Sequence, residues 1–149
     1  MIEGVIIKNL KKFKDERGWL VEIFRDDETD FRLKMNYISM THPGVVRGPH
    51  EHVSQSDLFV FIGPGEFRLY LWDNRKTSKT YKQEMQINGG EKNLISVVVP
   101  PGVVHGYKCI SNCDGWCINL PDKLYAGKDK KEEVDEIRWE EKEDSPFKI

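Results

Sequence analysis

Asp57-Leu-Phe-Val-Phe-Ile62, Gly63-Pro64-Gly65, and then Glu66-Phe-Arg-Leu-Tyr-Leu-Trp72 is the stretch that decides the fold. The first run is almost wholly apolar and rich in aromatic and β-branched residues, as a buried strand is, and it stops at a Gly-Pro-Gly turn. The second alternates Phe67, Leu69 and Leu71 with Arg68, Tyr70 and Trp72, the two-residue period of a strand with two unlike faces. Outward from this pair the same pattern recurs. Gly18 to Phe24 and Asn36 to Met40 read as earlier strands, the latter ended by His42-Pro43-Gly44. Leu94 to Val99, Val103 to Ile110 and Gly115 to Asn119 read as later ones, with a polar excursion from Asp73 to about Asn93 between the two groups. Short strands punctuated by Gly, Pro, Asn and Asp predict an all-β domain.

At 149 residues the chain suits one domain, 1–149, with one core. From about residue 126 charge dominates, and Lys128 to Asp144 is expected to be a solvated tail, with a short helix as the alternative. The 23 basic and 25 acidic residues are mixed along the chain, for a net charge of -2, which points away from nucleic acid and anionic membrane as partners. No run approaches the roughly 18 apolar residues of a membrane span, and Met1-Ile-Glu-Gly does not open a signal peptide, so a cytoplasmic location is expected. Cys109, Cys113 and Cys117 flank turn residues and are expected to be reduced thiols rather than a disulfide or zinc site. Neither a Walker nor a Rossmann glycine loop is present.

The densest polar cluster is Arg47-Gly48-Pro49-His50-Glu51-His52, where residues two apart share a strand face. Pro100-Pro101-Gly102-Val103-Val104-His105 brings a third histidine to a strand start, and a small barrel would bring the two segments together. His42, before Pro43-Gly44, is expected to be a surface residue.

Asp15 to Glu22, Gly44 to His50, Trp72 to Ser78 and Pro100 to Tyr107 resemble, in order and spacing, four signature segments of the dTDP-4-dehydrorhamnose 3,5-epimerase family, over roughly residues 3 to 125. The resemblance implies a cupin-type jelly-roll barrel, a homodimer with an exchanged N-terminal strand, no metal or other cofactor, and a dTDP-linked 4-keto-6-deoxyhexose as ligand. A keto group acidifies the neighbouring C–H bonds, so a base can form an enolate that an acid reprotonates from the other face. Carried over, His50 matches the family's base, His105 a pocket histidine, and Asp73 an acidic residue lining the sugar site. His52 is expected to join His105 as a possible proton relay. Arg17, Glu22 and Arg47 match residues that hold nucleotide and phosphates, Arg17 from across the dimer, and Tyr125 matches a pocket tyrosine. Arg17 and Asp73 could instead simply cap turns, each lying next to Gly or Asn.

Three departures bear on mechanism. Asn119, or Cys117, stands where the family has its acid tyrosine, and an amide cannot protonate a carbanion. The sequence stops at Ile149, ahead of the segment that supplies the histidine's aspartate partner, so Asp73 is the expected orienter of His50. Asp57 replaces a lysine that can stabilise the enolate, and a carboxylate there would oppose its charge. These departures open three other readings. The His50-x-His52 pair resembles dTDP-sugar 3,4-ketoisomerases, whose proton shift needs no opposed acid. His50, His52, Asp57 and His105 also resemble the divalent transition metal site of metallocupins. A catalytically silent sugar-nucleotide-binding barrel is the third.

Overall fold

The computed structural model describes residues 1–149, and its regular structure is strand throughout apart from two short 3-10 turns. In chain order the strands are β1 (Ile6–Asn9), β2 (Lys12–Asp15), β3 (Gly18–Val21), β4 (Tyr37–Thr41), β5 (Val46–Glu51) and β6 (Asp57–Phe61). β7 (Glu66–Asp73), β8 (Glu84–Gly90), β9 (Ile95–Val99), β10 (Val103–Cys109), β11 (Gly115–Asn119) and β12 (Ile137–Arg138) follow. They form two five-stranded antiparallel sheets, ordered β1-β9-β6-β11-β4 and β12-β5-β10-β7-β8, and β2 and β3 form a separate hairpin. This is the jelly-roll architecture expected from the sequence. No helix is long and apolar enough to cross a membrane.

The deciding stretch supplies both halves of the core. Every residue of β6 is buried, because that strand lies inside its sheet and packs on both faces. In β7 the odd positions Phe67, Leu69 and Leu71 are buried at 0 to 1 % exposure while Glu66, Arg68 and Tyr70 are half-buried. The two strands do not pair with each other: the turn at Gly63-Pro64-Gly65 carries the chain from one sheet to the other. Phe59 and Phe61 therefore face Phe67 and Tyr107 across the interior, with ring centroids 5.3 to 5.9 Å apart.

Two sequence expectations need correction. The polar excursion contains β8, an edge strand in which only Met85 and Ile87 turn towards the core, too sparse an apolar pattern to be noticed. The charged segment after residue 126 is neither a solvated tail nor a helix. It runs along the barrel as β12, pairing Ile137 with Glu51 and Arg138 with His50, beside two short 3-10 turns. It is anchored by Phe147 against Trp72 and Trp139, by the Trp139 indole N–H donating to Glu51 at 2.9 Å, and by buried Ser145.

Gly115 lets β11 approach the core closely, since a β-carbon there would sit 2.5 Å from the Phe67 ring. Gly115→Ala is expected to cost about 1–3 kcal/mol in urea unfolding. Adding Phe67→Leu should make that penalty smaller than it is in the parent.

Candidate active site

A cavity of about 530 Å³ opens at one end of the barrel, within the size range of small-molecule sites. Its walls are the ends of β4 and β5, one from each sheet, and the segment from Pro121 to Arg138. Tyr37 stands on the first wall, His50 and His52 on the second, and Tyr125 on the third.

Beneath this opening lies a buried charge. Asp57, the first residue of β6, is 1 % exposed. Its Oδ1 accepts from the Gln55 amide at 3.0 Å and the Asn119 amide at 3.1 Å. Its Oδ2 lies 3.0 Å from His52 Nε2 and 3.2 Å from His105 Nε2. Burial alone would raise the Asp57 pKa, but the two imidazoles override it and hold the carboxyl well below the usual range. A carboxylate so covered is screened from the cavity by its own partners, which answers the electrostatic objection raised by this replacement for lysine.

The two imidazoles are fixed from behind. His105 Nδ1 bonds the Val103 carbonyl at 2.9 Å, and His52 Nδ1 bonds the Asp135 carbonyl. Carbonyls only accept, so both Nδ1 atoms carry protons and both Nε2 atoms are directed at Asp57. Burial tends to depress the His52 pKa, yet Asp57 outweighs it and the net shift is upward. The Asp135 carboxylate is itself held by the Val53 and Ser54 backbone N–H groups and the Ser54 hydroxyl, at 2.7 to 2.8 Å.

His50 differs from both. It pairs across the sheet with His105 and sets its ring edge-on to that imidazole, centroids 4.4 Å apart, with no side-chain hydrogen bond of its own. Burial first, then the neighbouring His105 and His52, push its pKa well below the ordinary histidine value. A neutral imidazole with a free lone pair at the edge of a cavity can act as a base.

The other expected site residues lie elsewhere in this chain. Asp73 does not orient His50: its carboxylate is taken up by the Arg75 guanidinium and the Ser78 and Thr80 hydroxyls at 2.5 to 2.9 Å, so it caps the connection after β7. Arg17 sits at the tip of the β2–β3 hairpin, exposed and bonded to Asp15. Glu22 is exposed beside Arg25. Arg47 bridges the two sheets, bonding the Thr41 hydroxyl and the Met40 carbonyl at 2.9 and 2.7 Å. His42 is exposed and bonds Asp114, and the three cysteines are free. Sequence reasoning missed Tyr37 and Asp135. Neither sits in a motif; only strand register and the docked terminal segment bring them to the cavity.

The family model for dTDP-4-dehydrorhamnose 3,5-epimerase matches residues 1–143. The chain is 36% identical over 135 residues to the probable low-salt glycan biosynthesis epimerase Agl13 of Haloferax volcanii, covering 89% of this chain and 86% of that protein. It is 37% identical over 111 residues to the spore coat polysaccharide biosynthesis protein SpsL of Bacillus subtilis, covering 74% of this chain and 73% of that one. The crystal structure of a dTDP sugar isomerase from Desulfovibrio desulfuricans shares the fold, with a TM-score of 0.85 and 22% identity over 99% of this chain and 91% of that one.

The shifts give opposite pH signatures. An unfolded chain protonates His50 below about pH 6.5, whereas the folded one resists, so the unfolded state binds more protons and stability falls on acidification. The His52 contribution runs the other way, full below that pH and lost as pH rises through its raised folded value. His50→Gln should therefore reduce the loss of urea-unfolding stability between about pH 7 and about pH 5. An unchanged slope would contradict a depressed His50.

Proposed function

Because the chain belongs to the dTDP-4-dehydrorhamnose 3,5-epimerase family, we propose that it is an isomerase epimerising a dTDP-4-keto-6-deoxyhexose at C3, at C5 or at both. The observation that carries this reading is the His50 imidazole, set edge-on to His105 with no side-chain hydrogen bond of its own, at the edge of a cavity of about 530 Å³. His50 takes the proton beside the C4 ketone. His52 and His105, seated on Asp57, keep a proton-rich wall next to it. Tyr125 contacts the ligand from the third wall. Arg47, Arg17 and Glu22 serve the nucleotide and its phosphates, guanidinium groups matching diphosphate oxygens. The chemistry needs no cofactor, and free cysteines suit a cytoplasmic setting.

Arg17 and Glu22 do not line the His50 cavity of their own chain, so their proposed role has the N-terminal segment cross to a second subunit and the active form be a homodimer. Exposed apolar side chains support this: Phe13, Trp19 and Leu20 on the hairpin, and Ile38, Met40 and Trp116 on the outer face of the first sheet, each at least 43 % exposed. Sedimentation should give twice the monomer mass, and Trp116→Glu should shift the protein towards monomer; a wild-type monomer would remove the shared-site reading.

One observation favours a second reading. Asp57 Oδ2 and His105 Nε2 are buried without an aligned hydrogen bond, although Oδ2 lies 3.0 Å from His52 Nε2 and 3.2 Å from His105 Nε2. With His50 and His52 they place four donor atoms within 4.8 Å of one another. Separations of 3.0 and 3.2 Å match the edge of about 3 Å between ligands at right angles around a metal about 2.1 Å away. Three imidazoles and a carboxylate are donors that suit a divalent transition metal, which would hold them closer than the present 4.8 Å spread and, when bound, would polarise a substrate oxygen.

The test is proton NMR of chelator-treated protein with dTDP-4-keto-6-deoxyglucose in deuterated water. Deuterium entering at C5, with or without C3, is expected, and His50→Ala should abolish it while leaving dTDP affinity within several-fold. A 3-keto product without C5 exchange would identify a ketoisomerase. Stoichiometric metal in the untreated protein, with activity lost on chelation, would establish the metal reading.

A further inference from the structure

We infer that Tyr37 is the catalytic acid that returns a proton to the sugar carbon on the face opposite His50, and that Asn119 positions it; this rests on the epimerase reading above.

Inversion beside a ketone requires one group to remove the proton and another to deliver one from the other side. His50 projects from β5, in the second sheet, so the acid must come from a different wall. Tyr37 lies on β4 at the edge of the first sheet, and its side chain lines the same cavity. The rivals are poorly placed. Cys117 is fully buried, its thiol pushed up by burial, and Tyr107 is 5 % exposed and spends its hydroxyl on Ser39; neither lines the cavity. Tyr125 also lines the cavity and is about as exposed as Tyr37, 53 against 46 %, but its hydroxyl has no hydrogen-bond partner to fix it, whereas that of Tyr37 is held by Asn119.

The Tyr37 hydroxyl is held in a defined sense. Asn119 is its cross-strand partner, and the Asn119 amide nitrogen lies 2.9 Å from Tyr37 Oη and 3.1 Å from Asp57 Oδ1. A carboxylate can only accept, so the group facing Asp57 is the NH₂ end of the amide. The same nitrogen donates its other proton to Tyr37, whose Oη is thus an acceptor and whose own O–H is left for the cavity. Burial raises the Tyr37 hydroxyl above its ordinary value, which keeps it protonated, while the Asn119 bond acts in the opposite sense and supports the phenolate once the proton has gone. Asn119, unable to act as an acid, instead anchors the one on the neighbouring strand.

The step balances within the chain's own groups. The His50 lone pair takes the C–H proton, the C–H electrons become the enolate C=C, and the carbonyl π pair moves to oxygen. The enolate carbon then takes the Tyr37 proton from the other face, the carbonyl reforms, and the O–H pair remains on the phenolate. Water reprotonates Tyr37 and accepts the proton from His50, so no oxidant or reductant is needed.

Tyr37→Phe keeps the ring and removes the proton, and it separates the two half-reactions. With dTDP-4-keto-6-deoxyglucose in deuterated water, the variant should still exchange deuterium at the abstraction site with retained configuration, because His50 can return what it took. Its epimerised product should fall about 10²- to 10⁴-fold. Asn119→Ala should lower the ratio of epimer to exchange in the same direction, a ratio that loss of folded protein would not move. Epimer formed by Tyr37→Phe at near the wild-type rate would overturn the assignment, as would loss of exchange together with epimer. Wild-type protein that exchanges no deuterium would overturn the epimerase reading itself, and this inference with it.

Discussion

A carboxylate buried at 1 % exposure is the constraint around which the barrel mouth is built. An unpaired charge at that depth would cost several kcal/mol, and removing one partner of a buried pair typically costs about 3–5 kcal/mol. Asp57 therefore requires partners: Gln55 and Asn119 donate to its Oδ1, and His52 and His105 bring imidazole nitrogens to 3.0 and 3.2 Å from its Oδ2. Those residues belong to both sheets and to the loop between β5 and β6, so satisfying one charge fixes how the sheets meet. The same requirement sets the histidines: two are turned inward by Asp57 and locked by carbonyls, leaving His50 neutral at the cavity edge.

The second consequence is the division of labour between sheets. β5 and β10 carry the histidines, and β4 and β11 carry Tyr37 and Asn119. The cavity is walled by imidazole from one layer and phenol from the other, which is the arrangement that the proposed inversion at carbon would use. The asymmetry comes from the jelly-roll connection at Gly63-Pro64-Gly65, which sends β6 and β7 to different sheets.

The charged C-terminal segment completes the site. Most of its Glu and Lys residues face water, but Phe147 packs on both Trp72 and Trp139, and Asp135 closes over Val53 and Ser54. The segment supplies the third wall and the carbonyl that orients His52, so local charge density was a poor guide to whether it docks.

The sequence alone determined which segments are strands, since a two-residue alternation and Gly-Pro turns act locally. It also showed that His50, His52 and His105 would gather, and that Asp57 departs from its family's pattern. It placed Asp73 beside the sugar, whereas its hydroxyl and guanidinium neighbours claim that carboxylate. Only the tertiary structure decided that Tyr37 and Asn119, 82 residues apart, share one hydrogen bond. The reason is physical: periodicity tells each strand which face to bury, but which strands become neighbours, and in what register, is set by long-range pairing and by where a buried charge can find its partners.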